Sequence, residues 1–442
     1  MRLLKILSRI GVVLLIVVAV ALLVRAVFNF SAGRRLAVAV AGLKAQGVAL
    51  TAKDLAAVCP DADNAARLWK AAADILVVGK DDKGLLGRAF TDLVASKPLS
   101  PADRDAIEGV IARNREALVL MYLMADKPCF LYWDPGTSLA ETLIPDAVEM
   151  ISAARLMGFD ARLRADEGDT AGAIDRIRRA LGSTSKVAQE GTLITHLLAV
   201  AETRMLLRFL EDICRGRTID DQTVLRLVAD LEPGPWRERL ARSISGERVF
   251  SLERGSAITG GSVRAPAGER PYNRLLYWLL RPVLKEEVRW QLEKLTRWER
   301  IARNPYYEQR EFLKTDLAST EAFPWYFKLT GFQDGGAYGT FFLKNGQLEA
   351  TFLAARTGLA CRLYKSRRGQ YPENLEALVP GILTEVPIDP FTGKPLVYRR
   401  EGEGFIVYSL GSNEKDDGGR STYMITQLVM DKDDDWTWRE DR

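Results

Sequence analysis

Leu, Ile, Val and Ala recur at three- and four-residue spacing through most of the chain between Leu36 and about Asp230, the pattern of helices that bury one face. LKAQGVALTAKDLAAV, NAARLWKAAADILVVG, SPADRDAIEGVIARNREALVLMYLMA and PDAVEMISAARLMGFDARLRADEG each carry it. Ser100-Pro101 predicts a helix start, with Ser as N-cap and Pro at the first helical position. Pro60, Pro98, Pro128, Pro135 and Pro145 fall between these segments and are expected in connections. From Gly234 to Gly268 the periodicity loosens, and SLERGSAITGGSVRAPAGERP predicts a surface loop. Tyr272 to Leu313 is helical again, with Pro282 predicted to kink or split it. Its aromatics Tyr277, Trp278, Trp290, Trp298, Tyr306, Tyr307 and Phe312 are expected to fill the interior. Phe323 to Phe332 continues that apolar surface into a turn at Asp334-Gly335-Gly336.

Near the C-terminus the period changes. Gln347 to Arg367 reads as an amphipathic helix stopped by Gly369, and Asn374 as the cap of a short helix in NLEALVPG. Pro387-Ile388-Asp389-Pro390 with Phe391-Thr392-Gly393 predicts a tight turn. PLVYRR and GFIVYSLG then read as two strands joined by a hairpin loop, Glu401 to Gly404. The tail DKDDDWTWREDR is expected to be solvated, or to act as a docking peptide through Trp436 and Trp438.

Ile10 to Val24 is apolar apart from Gly11 and, with Ala26, Val27 and Phe28 beyond Arg25, is long enough to cross a bilayer. Arg2, Lys5 and Arg9 precede it and favour an inside N-terminus, while Arg25 can snorkel to the interface. A cleaved signal peptide would place a phenylalanine where a small residue is wanted, at Phe30-Ser31-Ala32-Gly33, so an uncleaved signal anchor is expected. No later segment approaches spanning length. The expectation is one pass through a cytoplasmic (inner) membrane, with the bulk of the chain outside the cytoplasm. The fold class is mainly α: an anchor over 1–30, an irregular α-helical bundle over 31–233, and a loop with aromatic-rich helices packed on the bundle over 234–343. A small α+β module over 344–430 and an acidic tail over 431–442 complete it.

Composition narrows the chemistry. A net charge of +4 on 442 residues gives no reason to expect a nucleic-acid partner. Cys59, Cys129, Cys214 and Cys361 lie far apart, which argues against zinc and leaves disulfides and buried thiols equally open. His196, the only histidine, sits in an apolar helical run and is expected to be structural. The chain contains no P-loop, G-x-S-x-G or H-E-x-x-H, so no catalytic residue and no cofactor is assigned. A carboxylate-based hydrolase stands as the alternative, with Glu286, Glu287 and Asp389 as its candidate acids.

Two resemblances add expectations. ARLRADEGDTAGAIDRIRRALG resembles a tetratricopeptide helix pair turning at Gly168-Asp169, with no second copy at the repeat period. The chain outside the C-terminal module resembles uncharacterised single-pass membrane proteins with such a helical middle. Gly369, Tyr371, Pro372, Pro387, Asp389, Pro390, Gly393, Tyr398 and Tyr408-Ser409-Leu410-Gly411 fall in the order of the globular domain of the major pseudopilin of type II secretion. The resemblance covers about Gln347 to Gly419 and implies a pseudopilin-like fold. It also implies a calcium site in the loop after Y-S-L-G, here the Leu410 carbonyl with Asn413, Asp416 and Asp417, Asn413 standing where a carboxylate is usual. The leader G-F-T-x-x-E read by the prepilin peptidase is replaced by Ile10-Gly11-Val12-Val13. The expected function is therefore a non-enzymatic, membrane-anchored envelope protein that binds or scaffolds other envelope proteins. An atypical type II secretion subunit is a further alternative.

Overall fold

The computed structural model describes residues 2–56, 58–134, 136, 147–260, 271–319, 336–419 and 436–440. Its first element, α1 (Arg2–Ala45), carries the apolar run on as a single helix of 44 residues. At about 1.5 Å per residue this is roughly twice what a bilayer core requires. The two halves differ accordingly. Ile10 to Val24 presents bare apolar side chains, whereas Ala32 and Leu43 in the second half are buried against the body.

The chain turns at Gln46-Gly47, where the periodicity predicts unbroken helix, and α2 (Ala52–Leu55) restarts it under a Thr51–Asp54 capping box. Eight helices then build the bundle: α3 (Ala65–Ile75), α4 (Lys80–Val94), α5 (Pro101–Arg113), α6 (Arg115–Leu123), α7 (Ala147–Asp166), α8 (Thr170–Val187), α9 (Leu193–Cys214) and α10 (Asp221–Asp230). Ser100 caps α5, with Pro101 in its first turn. Pro60, Pro98 and Pro128 lie in connections, while Pro135 and Pro145 fall outside the described residues. α7 and α8 form the hairpin expected at Gly168-Asp169, Asp169 accepting from the Gly172 N–H to start α8. A disulfide between Cys59 and Cys129 ties the chain before α3 to the chain after α6. Cys214 and Cys361 are buried free thiols.

One expectation in the next region fails and another is narrowed. The predicted loop after Ser251 is helical as far as Gly260, the end of α11 (Gly234–Gly260); the remainder of that loop lies outside the described residues. The last turns of α11 pack on α12, where a Cβ on Gly255 would lie 2.2 Å from Val288, and this contact outweighs their weak propensity. Pro282 does not split the following segment but lies inside α12 (Pro271–Ile301); the helix stops instead before Pro305, and α13 (Tyr306–Ser319) starts anew. Proline at 282 leaves the carbonyl four residues earlier without its helical donor. That carbonyl belongs to Trp278, and the Arg25 guanidinium of α1 donates to it. Trp298 and Tyr306 are buried as expected, but Tyr277 and Trp278 are exposed.

α14 (Gly336–Arg368) passes through the middle of the molecule. The Phe323 to Phe332 stretch and residues 334–335 of the expected turn lie outside the described residues. Beyond α14, Asn374 caps a 3₁₀ turn at Leu375–Leu378, and β1 (Val397–Glu401) pairs antiparallel with β2 (Gly404–Ser409), as the alternation predicts. The tail is not merely solvated: β3 (Trp436–Glu440) pairs antiparallel with β2 and completes a sheet of order β1-β2-β3. An open edge on the fully buried β2 offers unmet backbone groups, and β3 satisfies them. Trp438 is buried against α14, where a Cβ on Gly358 would stand 2.2 Å from its ring. One apolar cluster contains Trp69, Phe90 and Phe209 of the bundle together with Leu359, Phe405 and Trp438.

Trp438→Ala should therefore lower unfolding stability by about 3–5 kcal/mol in urea titration, and a loss below about 1 kcal/mol would show that β3 is not docked. Replacing both Cys59 and Cys129 by serine, which opens a link spanning 70 residues, should remove about 4 kcal/mol in the same assay.

Candidate ligand cleft

The residues singled out by sequence do not converge. In the C-terminal turn Asp389 is buried and fully engaged: Oδ1 accepts from the Phe391 N–H at 2.9 Å and the Ser409 hydroxyl at 2.8 Å, and Oδ2 from the Leu410 N–H at 3.0 Å. It pins the turn to the end of β2. Glu286 sits elsewhere, on α12, paired with Arg35 at 2.6 Å and Arg289 at 3.0 Å, and Glu287 is its half-buried neighbour. In the expected calcium loop, the Asn413 amide donates to Asp417 Oδ2 at 2.9 Å, while Asn413 Oδ1 accepts from the Lys415 N–H at 2.9 Å. Asp416 Oδ1 accepts from the Tyr408 hydroxyl and the Gly418 N–H, both at 2.9 Å. No group of three or more metal-ligating side chains occurs among the described residues.

His196 is fully buried, its Nε2 3.2 Å from Asn345 Oδ1, and burial pushes its pKa down to about 4. It is a neutral packing residue at ordinary pH. Glu202, two turns further along α9, is buried as well, and burial pushes its carboxyl up to about 8. Neither charge can serve a ligand without first being exposed.

A different group of side chains does face an open cavity of about 990 Å³ between α2, α11 and the start of α3. α11 approaches the loop after α8 closely because residue 246 is glycine: a Cβ there would lie 1.8 Å from the Gly191 carbonyl oxygen. This brings Arg239 and Arg242 to the cavity wall. Arg242 donates to the Gln189 carbonyl at 2.9 Å and the Leu55 carbonyl at 2.7 Å, fastening α11 to α8 and α2. Arg239 donates to Ser185 Oγ at 2.7 Å and stacks over Trp236 at 4.9 Å.

The other cations of the wall are answered by acids. Arg248 meets Glu299 at 2.5 Å, and Arg303 meets Glu238 at 3.1 Å and Glu299 at 3.3 Å. Burial opposes ionisation of Glu299, but Arg248 overrides it and holds the carboxyl below its usual range. Arg239 and Arg242 have no carboxylate partner among the described residues, and burial lowers both, Arg239 to about 10, which leaves it charged at neutral pH. The wall also carries Asp54, Asp63, Glu238 and Glu299, so acids match its four arginines in number; Arg239 and Arg242, without a carboxylate partner among the described residues, give it a local contact for a carboxylate or phosphate.

Sequence reading missed both arginines. In PWRERLARSIS they look like any interleaved surface charges, and only the three- residue spacing of 239 and 242 marks a shared face. No protein-family model, curated protein or solved structure matches this chain.

Glu202 gives the pH behaviour a sign. Its folded pKa lies above the unfolded value of about 4.3, so its contribution to stability is complete below that value and is lost as pH rises through about 8. His196 acts oppositely: its stabilisation is complete above about 6.5 and is lost as pH falls through about 4. Calorimetry of Glu202→Gln should show a melting temperature near wild type at about pH 5 and above it at about pH 8; a difference of the same size at both would exclude the titration. For the cleft, Arg239→Gln should abolish the stabilisation that phosphate gives the wild type in a thermal-shift assay, while retaining the melting temperature measured without phosphate to within a few degrees.

Proposed function

We propose that this chain is a membrane-anchored envelope scaffold that binds an acidic partner segment rather than transforming a substrate. The observation that carries the reading is α1: an exposed apolar half continues without a break into a half that is docked on the helical body. Such a helix fixes the body to the membrane rather than trailing it on a flexible linker. The Cys59–Cys129 disulfide supports a body held outside the reducing cytoplasm, in line with the basic residues before the apolar run. Arg239 and Arg242, which lack a carboxylate partner among the described residues, give the scaffold a local contact for an acidic group. The commitment of Asp389 to its turn and of Glu286 to two arginines weighs against the carboxylate hydrolase.

The order of α14, the capped 3₁₀ turn, the Asp389 turn and the β1–β2 hairpin supports a pseudopilin-like module carried on a larger protein. The α7–α8 pair supports the tetratricopeptide-like reading of the bundle. A calcium ion on the 410–417 loop would compete with the hydrogen bonds of Asn413 and Asp416, so its dissociation constant should be weak, on the order of 10⁻⁴–10⁻³ M by isothermal titration.

The scaffold reading is tested in membranes. The protein should resist alkaline carbonate extraction, and its disulfide should protect Cys59 and Cys129 from alkylation until reductant is added. Affinity capture from solubilised membranes should recover an envelope protein with the wild type and lose it with an Arg239→Glu/Arg242→Glu double variant. Capture of the same proteins by both would remove the cleft from the reading, and extraction by carbonate would remove the anchor.

A further inference from the structure

The first turns of α12 carry a patch that neither the bundle nor the cleft explains. Leu275, Leu276, Tyr277, Trp278 and Leu279 are each between 42% and 59% exposed. Five consecutive helical residues cover the whole circumference, so no rotation of α12 could hide them against the body. A helix in water hides one stripe; a segment bare and apolar on every side belongs to an apolar surrounding.

Its position names that surrounding. Arg25 lies 3.4 Å from the centre of the Trp278 ring and donates to the carbonyl that Pro282 orphans. Further along, Lys285 reaches the Asn29 carbonyl at 3.5 Å and Glu286 pairs with Arg35 at 2.6 Å. The contacts advance together in both sequences, so α1 and α12 run parallel, with the patch beside the last turns of the apolar run. There Val24, Val27 and Phe30 of α1 are themselves more than 60% exposed. Both helices are thus bare and apolar at the same level.

Resting on the reading of α1 as an anchor, we propose that the Leu275–Leu280 segment of α12 inserts into the lipid leaflet in which α1 ends. It would be a second, shallow membrane contact that sets the tilt of the body. Six residues reach only about 9 Å, far short of a span. Arg281 and Lys285 follow the segment at the end nearer the body, where cations can meet the phosphates of the headgroups. Tyr277 and Trp278 have the amphipathic rings favoured at that depth.

The test uses the full chain reconstituted into phosphatidylcholine–phosphatidylglycerol vesicles, with spin labels on Leu15→Cys, Leu276→Cys or Val119→Cys. The native thiols are bridged or buried and will not take the label. Electron paramagnetic resonance then compares relaxation by oxygen, which concentrates in lipid, with relaxation by a water-soluble nickel chelate. Oxygen should dominate at Leu276 as at Leu15, and nickel at Val119, which is exposed on α6. Nickel dominating at Leu276 while oxygen dominates at Leu15 overturns the inference and leaves the anchor intact. Nickel dominating at both overturns the anchor, and the inference with it. Dipolar broadening between Leu276 labels, or shielding of that label from both reagents, shows a second copy or another protein on the patch and overturns the inference as well.

Discussion

A helix enclosed on every side must have each of its polar groups answered by a neighbour, and α14 is held under that constraint from about Phe342 to Leu363. Asn345 meets His196 of α9, and Gln347 meets Arg204 at 3.4 Å. Glu349 meets Arg237 of α11, and Arg356 meets the Val228 carbonyl of α10 at 3.1 Å and Glu232 at 2.6 Å. Arg362 donates to the Cys214 carbonyl at 2.8 Å, to the Arg217 carbonyl and to Glu440 of β3. Between these, Leu348, Phe352, Leu359 and Leu363 join the main apolar cluster. Buried pairs of this kind add little net energy, but any wrong register would strand a charge in the interior. They therefore select one placement of bundle, stem and sheet around α14.

The end of the molecule that carries α1 obeys a different constraint. α12 runs parallel to α1, and α11 runs back along α12, with Arg248 level with Glu299 and Gly255 level with Val288. Leu43, Leu50, Val288 and Leu292 form a separate small cluster that joins α1 to this hairpin. A single Arg25 side chain both stacks on Trp278 and replaces the donor that Pro282 lacks. The anchor and the first turns of α12 are thus joined by a backbone requirement as well as by apolar contact. Load on the body would pass to α1 through a stem of three helices rather than through a hinge.

Elements governed by near neighbours were legible. Ser100, Asp169 and Asn374 act as caps because a short polar side chain meets an amide two or three residues on. β1 and β2 follow from alternation and a glycine-bearing loop. Elements governed by distant partners were not legible. α11 remains helical past Ser251 because α12 lies against it, and Pro282 is tolerated because Arg25 stands 257 positions earlier in the chain. Trp438 looks like a solvated tail residue until Gly358 supplies the space to dock it. The cleft arginines were missed for the same reason: the close approach at Gly246 and the contacts to Gln189, Leu55 and Ser185 come from distant segments.

By itself the sequence determined the long apolar N-terminal helix, the helical character of the body, the hairpin at Gly168-Asp169 and the order of turn and strands after α14. Each depends on spacing within a few residues, where the chain's covalent geometry leaves few choices. The tertiary structure alone decided which thiols pair, which carboxylates become structural, which arginines keep an unanswered charge and which apolar turns stay bare. Those outcomes depend on burial and on partners that can lie tens to hundreds of residues away. The free energy of a charge or an apolar side chain is set by what surrounds it, and local spacing carries no record of that.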